Sequence, residues 1–102
     1  MGDDSEVWWY VGEWKNGLMH GQGTAYNESE GYLLSGLFIH GKISGNNCRK
    51  IMKNGSYYIG SLNEYFEAEG KGEIHYKEGG KYKGGFIGGL PNGTGKLVTL
   101  DH

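Results

Sequence analysis

A five-residue pattern recurs four times in this chain at a constant interval. A tyrosine or leucine is followed two residues later by glycine and, after two more, by a second large apolar residue. The four copies are Tyr10-Gly12-Trp14, Leu34-Gly36-Phe38, Tyr58-Gly60-Leu62 and Tyr82-Gly84-Phe86. They begin 24 residues apart each time. A chain built from copies of one short unit is a repeat array, stabilised by packing of each unit on its neighbours. We call the three residues of each copy the tyrosine, glycine and ring positions.

The spacing within each repeat indicates β-strands. Residues 81–86 alternate between lysine or glycine on one face and the pattern residues on the other, the period expected of a half-buried strand. Asn16-Gly17 and Gly88-Gly89 supply hairpin turns. Glycine makes up 21 of 102 residues, which favours strands and tight turns over helices. The sequence therefore predicts an all-β fold: four β-hairpin repeats, about eight antiparallel strands, forming one twisted, groove-shaped open sheet.

The predicted domain organisation follows the period. An acidic N-terminal tail covers residues 1–7, and a single domain covers residues 8–102. Its repeats span about residues 8–31, 32–55, 56–79 and 80–100. Two middle repeats are irregular: Asn47 aligns with Gly23 and Gly95, and Tyr65 occupies a hairpin-turn glycine position. The third hairpin is therefore expected to turn differently, around Asn63-Glu64.

The recurring glycine needs a physical reason, because glycine normally weakens a strand. We expect the missing Cβ to let the aromatic ring of a neighbouring repeat lie flat on the backbone, so that rings stack along one face. Gly36→Val or Gly60→Val should then destabilise the array strongly.

Composition and motifs argue against catalysis. The formal charge of −2 gives no electrostatic reason to expect nucleic acid. No histidine has metal-ligand spacing, and no catalytic grouping stands out, so we predict no enzyme activity, no catalytic residue, no metal and no cofactor. Cys48 is the one cysteine, which excludes an intrachain disulfide and favours a reducing compartment. With neither a signal peptide nor a membrane-spanning run visible, the expected location is the cytoplasm.

Three surfaces are candidates for binding. The pattern residues could be pure core, but a single curved layer cannot bury both faces, so we expect them also to line a partner-binding groove. That groove set is Tyr10, Trp14, Leu34, Phe38, Tyr58, Leu62, Tyr82 and Phe86. The opposite face is apolar in the first three repeats and forms a second candidate interface: Trp9, Val11, Leu37, Ile39, Tyr57 and Ile59. A lysine cluster, in which a solvated strand face is favoured over an anion site, comprises Lys77, Lys81, Lys83 and Lys96.

The stretch from Tyr10 to Gly23 resembles the MORN (membrane occupation and recognition nexus) repeat, whose pattern is roughly Tyr-x-Gly-x-Phe/Trp, then Gly, then His-Gly-x-Gly. The stretch from Tyr82 to Gly95 resembles it almost as closely, with Asn92 replacing His. The resemblance implies one hairpin per repeat in a grooved sheet. It also implies a scaffold or adaptor that binds peptides or helices in its groove, dimerises, or joins cytoskeletal or membrane-linked complexes. Some members have been linked to acidic phospholipids.

We therefore expect a non-catalytic interaction module that binds a protein partner through the aromatic groove or assembles with itself. The alternative is a peripheral membrane adaptor that binds acidic phospholipids through the lysine cluster. A carbohydrate- or choline-binding repeat would also use glycine and aromatic residues, but the His-Gly-x-Gly element and the absent secretion signal argue against it.

Overall fold

The computed structural model describes residues 7–99. Their fold is a single open sheet of eight antiparallel strands in chain order, which confirms the predicted all-β hairpin array. The strands are β1 (Trp8–Lys15), β2 (Leu18–Asn27), β3 (Tyr32–Ile39), β4 (Lys42–Ile51), β5 (Tyr57–Leu62), β6 (Ala68–His75), β7 (Lys81–Ile87) and β8 (Leu90–Val98). Except for Val7, the predicted acidic tail lies outside the described residues.

Three of the four hairpins close with a two-residue turn in which both residues have positive φ. The turn residues are Asn16-Gly17, His40-Gly41 and Gly88-Gly89, with φ of 52 and 77°, 50 and 83°, and 58 and 85°. Such turns match the right-handed twist of the flanking strands. The third hairpin differs, as the sequence predicts. Asn63 Oδ1 accepts hydrogen bonds from the N–H groups of Tyr65 (2.8 Å) and Glu67 (3.0 Å), which holds a longer turn.

Each hairpin contains a bulge beside its glycine position. In the first, third and fourth repeats the glycine pairs across the hairpin with a second glycine: Gly12 with Gly23, Gly60 with Gly72 and Gly84 with Gly95. In the second repeat the prediction was wrong by one residue. The pairing of Ser35 with Arg49 and of Leu37 with Ser44 leaves Cys48, not Asn47, opposite the glycine position, because the bulge in β4 is one residue longer.

The glycines make room for a ring, but the ring belongs to their own repeat. A Cβ on Gly12 would lie 2.5 Å from Tyr10 Oη and 2.8 Å from the Cα of Gly23. The Tyr10 hydroxyl donates to the carbonyl of Glu13 at 3.1 Å. The expectation that a neighbouring repeat's ring lies on the glycine was therefore wrong.

The same arrangement recurs in two later repeats. The hydroxyl of Tyr58 donates to the carbonyl of Ser61 at 2.7 Å, and that of Tyr82 to the carbonyl of Gly85 at 3.2 Å. Burial raises the pKa of Tyr58 to about 12. The tyrosine ring therefore bridges both strands of its own hairpin.

Edge-to-face ring contacts join the first repeat to the second and the third repeat to the fourth. The rings of Tyr10 and Phe38 lie 5.3 Å apart at 84°, and those of Tyr58 and Phe86 lie 5.1 Å apart at 83°. These contacts belong to two apolar clusters, and Leu62 packs against both. The buried members are Ala25, Leu34, Phe38, Ile43 and Cys48 in the first cluster, and Tyr58, Ala68, Tyr82 and Phe86 in the second. The aromatic face of the sheet is therefore the core.

Candidate functional site

The predicted groove residues come together on the aromatic face, but most are packed away from solvent. Leu34, Phe38 and Tyr58 are 0% exposed and Phe86 is 2% exposed. Tyr82 is also buried, whereas Tyr10 and Leu62 are half-buried. Trp14 is 60% exposed, because it lies on the edge strand β1 with no described repeat before it. Because most of these side chains are buried, they leave little exposed surface for a partner to contact.

The opposite face, which we call the reverse face, carries one continuous row of side chains across all eight strands. We call it the apolar row. Its members, each paired with the next, are Trp9, Tyr26, Leu33, Ile51, Tyr57, His75, Lys81 and Val98. Strands lie about 4.8 Å apart, so the row extends over roughly 34 Å. Exposed fractions are 62% for Trp9, 46% for Ile51 and 39% for Tyr57.

The predicted second interface coincides only in part with this row. Trp9 and Tyr57 belong to it. Val11 and Ile59 lie in the next row, and Leu37 and Ile39 lie beyond the bulge.

Sequence reasoning missed other members of the apolar row. Tyr26, Ile51 and Val98 lie on the second strand of their hairpins, and the extra bulge residue in β4 moves Ile51 one residue away from the 24-residue period. The signal that could have found Tyr26 and Ile51 is that each follows, by two residues, a polar residue of the next row, Thr24 or Arg49.

The next row on the reverse face is mainly polar. We call it the polar row, and its members are Val11, Thr24, Ser35, Arg49, Ile59, Glu73, Lys83 and Lys96. Its C-terminal half borders an open groove of about 970 Å³. The lining includes Asn46, Asn47, Ile59, Ser61, Lys71, Glu73, Lys83 and Thr94. An open groove therefore lies on the face opposite the core.

The lysine cluster divides between this face and a turn. Lys83 pairs with Lys96 across β7 and β8, and Lys81 lies in the apolar row. Lys77 lies outside the strands, in the turn after β6, where its backbone N–H donates to Ser56 Oγ at 3.1 Å. Three of the four lysines therefore share the reverse face.

Glu73 and His75 form a polar contact beside the lysines. His75 Nε2 lies 2.7 Å from Glu73 Oε2, and Lys81 Nζ lies 3.9 Å from Glu73 Oε1. The hydrogen bond to His75, assisted by the charge of Lys81, holds the pKa of Glu73 below its usual value. The His75 ring also stacks on Tyr57, with centroids 4.6 Å apart and planes at 5°. These contacts hold the side chains of Tyr57, Glu73 and His75 in place beside Lys81, the first lysine of the apolar row.

The geometry defines a class of protein: an array of β-hairpin repeats with one face closed as core and the other open. The family model of the MORN repeat matches residues 10–27 and 82–99, within the first and last repeats. The first and last repeats of the chain therefore match the MORN repeat. Comparison with curated proteins found no match.

MORN repeats are non-catalytic binding repeats, and they are generally involved in binding proteins or membranes. Proteins that contain them are often associated with membranes or the cytoskeleton. Within residues 7–99 there is no helix long and apolar enough to cross a membrane.

Proposed function

We propose that this protein is a non-catalytic interaction module that binds an amphipathic segment of a partner protein across its reverse face. The observation that carries the proposal is the apolar row, which is continuous and uninterrupted by charge from Trp9 to Tyr57, with Leu33 half-buried and its other members in that part exposed. Contiguous exposed apolar surface of this kind marks interaction sites. The uncharged part of the row crosses five strands and so extends over roughly 19 Å, which suits a helix or extended peptide laid across the strands.

The charges beside the row favour an acidic edge on the partner. Lys83 and Lys96 face each other directly, and like charges in that arrangement destabilise a sheet unless an anion lies near them. Lys71 adds a third positive charge in the groove, against the single carboxylate of Glu73. A segment with apolar residues on one side and Asp or Glu on the other would satisfy both rows.

Affinity capture from cell extract with three baits tests the proposal. The baits are the parent, Ile51→Asp in the centre of the apolar row, and Tyr65→Asp as a control at an exposed aromatic residue in the third hairpin turn, 72% exposed. We expect the partner to be retained by the parent and the control and lost with Ile51→Asp. Its interacting segment, made as a peptide, should bind Lys83→Glu at least about tenfold more weakly than the parent.

Two outcomes would contradict the proposal. One is retention of the same proteins by all three baits. The other is a partner that survives Ile51→Asp but is lost with Trp14→Ala, which would place it on the aromatic face as the sequence first suggested. Circular dichroism of each bait checks that the fold is intact.

Binding of acidic phospholipid is a second candidate, favoured by the position of Lys81, Lys83 and Lys96 on one face. A basic residue near an anionic membrane contributes about 1 kcal/mol, so three give weak, salt-sensitive attachment. Sedimentation with phosphatidylserine vesicles should then fall between low and physiological salt, and should fall further with Lys83→Glu. Equal sedimentation with neutral vesicles would argue against this candidate.

A further inference from the structure

A lysine interrupts the apolar residues on the aromatic face of the sheet. Lys50 pairs with Leu34 on one side and with Tyr58 on the other, and both of these side chains are 0% exposed. The residues at the same position of the other hairpins, opposite the tyrosine position, are all apolar: Ala25, Ile74 and Leu97. Packing of the core therefore gives no reason for a charge at this position.

The ammonium group of Lys50 contacts neutral groups but no carboxylate. Its Nζ donates to the carbonyl of Phe66 at 2.8 Å and lies 4.5 Å from the centroid of the Tyr32 ring. Among residues 7–99, no carboxylate oxygen lies within 4.0 Å of Lys50 Nζ. Burial lowers the pKa of Lys50, and the charge of Glu67 offsets part of that effect. A half-buried cation is stabilised by an anion in contact with it, so Lys50 is incompletely partnered.

Lys50 and Glu67 are the two charged residues that line a small cleft, which we call the Lys50 cleft. The cleft has a volume of about 280 Å³, and its apolar lining includes Met52, Ile74 and Phe86. Pockets for drug-sized ligands have volumes of roughly 300–1,000 Å³, so this cleft suits a smaller molecule. It offers that molecule an apolar wall, one positive charge and one negative charge.

The carboxylate of Glu67 is also incompletely partnered. Its Oε1 accepts a hydrogen bond from Asn63 Nδ2 at 3.1 Å, and no lysine or arginine nitrogen of the described part of the chain lies within 4.0 Å of it. Lys50 and Glu67 therefore line the same cleft without pairing with each other. A ligand that carries both an anion and a cation would pair with both residues.

We propose that the Lys50 cleft binds a free α-amino acid with an apolar side chain. The carboxylate of the ligand pairs with Lys50, its ammonium group pairs with Glu67, and its side chain packs against the apolar wall. A simple carboxylic acid would instead leave Glu67 without a cation and place a like charge beside it. A residue inside a peptide carries neither charge on its backbone, and a terminal residue carries only one, so the site distinguishes a free amino acid from a peptide.

A ligand series tests the site on the parent protein by isothermal titration calorimetry. L-Leucine, isocaproate and isoamylamine share one apolar body and carry both charges, the carboxylate alone and the ammonium group alone, respectively. We expect leucine to bind at least about tenfold more tightly than either analogue, because each analogue leaves one charged residue of the cleft unpaired. L-Serine, which lacks the apolar body, should also bind at least about tenfold more weakly than leucine.

Two variants establish which residue binds which group of the ligand. Glu67→Gln should weaken the binding of leucine at least about tenfold and leave the binding of isocaproate no weaker. Lys50→Met should weaken leucine and isocaproate and leave isoamylamine no weaker. Lys53→Met removes a lysine of the neighbouring cleft and serves as the control, so it should bind leucine like the parent.

Thermal melts without ligand establish that each variant is folded. If Lys50→Met does not fold because the turn at Phe66 loses its hydrogen bond, Glu67→Gln and the ligand series still decide the question. A parent that binds none of leucine, methionine and phenylalanine at millimolar concentration would overturn the proposal. Binding of leucinamide and N-acetylleucine as tight as that of leucine would overturn it too, because each lacks one of the two charges.

The Lys50 cleft is independent of the partner surface proposed above, because the two lie on opposite faces of the sheet. Ile51→Asp, which alters the reverse face, should bind leucine like the parent. Loss of leucine binding in Ile51→Asp while the fold is intact would contradict the assignment to the aromatic face.

Discussion

At the scale of single residues, the repeat is held by a tyrosine that spans its own hairpin. The ring lies over the glycine two residues on and over the glycine opposite, and the hydroxyl reaches the carbonyl three residues on. The phenol is therefore both packed and hydrogen-bonded, as a buried tyrosine requires. Both glycines are needed, because either Cβ would overlap the ring.

A comparison of two glycine positions tests this account. Gly36 and Gly60 have nearly the same φ, 158° and 156°, so the backbone contribution to any substitution is shared. A Cβ on Gly60 would lie 2.5 Å from Tyr58 Oη and 2.7 Å from the Cα of Gly72, whereas one on Gly36 would meet nothing nearer than 3.4 Å. We expect Gly60→Ala to lower the free energy of unfolding by about 1–3 kcal/mol more than Gly36→Ala in urea titrations. Equal losses of unfolding free energy in the two variants would show that the tyrosine ring is not the reason for the glycine at this position.

In the second repeat, both residues of this contact differ from those in the other repeats. Leu34 stands at the tyrosine position, and Cys48 stands where the other repeats have the opposite glycine. Leucine leaves space that tyrosine would fill, and the Cys48 side chain is 1% exposed, with Sγ 3.3 Å from the carbonyl of Ser44. Burial raises the pKa of the thiol, so it packs as a neutral group. Leu34 and Cys48, with the Ile43 side chain beside Gly36, replace the tyrosine–glycine contact.

A double-mutant cycle measures that replacement. Leu34→Tyr alone should clash with the Cys48 side chain, and Cys48→Gly alone should leave a cavity, so each should destabilise. Together they restore the tyrosine–glycine arrangement, and the double variant should exceed additivity by about 1–2 kcal/mol in its free energy of unfolding. Leu34→Tyr combined with Ala68→Gly in the other cluster should be additive. A coupling free energy near zero between Leu34→Tyr and Cys48→Gly would show that these two residues do not replace the tyrosine–glycine contact.

At the scale of the element, the third hairpin shows how a turn without glycine is held. Asn63 supplies a side-chain acceptor for two backbone N–H groups, and Phe66 adopts a left-handed conformation with φ of 62°. The strain at Phe66 is offset by its contact with the Trp8 ring, 5.3 Å away, and by Lys50 Nζ, which donates to its carbonyl at 2.8 Å. This turn depends on side chains where the other three depend on glycine.

Removal of the Asn63 side chain should therefore weaken this hairpin specifically. Asn63→Ala leaves the N–H groups of Tyr65 and Glu67 without their acceptor, and we expect a loss of about 1–2 kcal/mol in the free energy of unfolding. Hydrogen exchange should accelerate at those two amides before the strands are affected. Asn63→Asp keeps the acceptor but opposes Glu67, so it should recover part of the loss. Unchanged exchange in Asn63→Ala would show that the turn holds without its cap.

At the scale of the whole molecule, the period predicts the order and number of strands but not which face is open. Alternation assigns Tyr58 and Phe86 to one face correctly, yet it cannot tell that neighbouring rings bury them to 0% and 2% exposure. Ile51 escapes the period because β4 has a longer bulge, and bulge length depends on pairing with β3. The local sequence determines which residues form strands, whereas contacts between repeats determine which side chains are exposed.

The junction between the second and third repeats lacks the tyrosine-position to ring-position contact that joins the other repeats. Ring pairs join the first repeat to the second and the third to the fourth, whereas Leu34 and Leu62 occupy the corresponding positions at the middle junction. Leu62 packs against both apolar clusters, so it couples the unfolding of the two halves of the array. In a repeat array, cooperativity depends on such nearest-neighbour contacts.

Leu62→Ala should therefore split the unfolding transition. All three tryptophans, Trp8, Trp9 and Trp14, lie in the first repeat, so their fluorescence reports on the first repeat and, through Trp8, on its contact with Phe66, while circular dichroism reports on the whole sheet. The two probes should give one urea midpoint for the parent and separate midpoints for Leu62→Ala, with about 1–3 kcal/mol lost at the junction. Ile43→Val, within the first cluster, should shift both probes together. If the probes stay coincident in Leu62→Ala, the backbone ladder between β4 and β5, with the contacts of Phe66 to Trp8 and Lys50, is sufficient to couple the two halves.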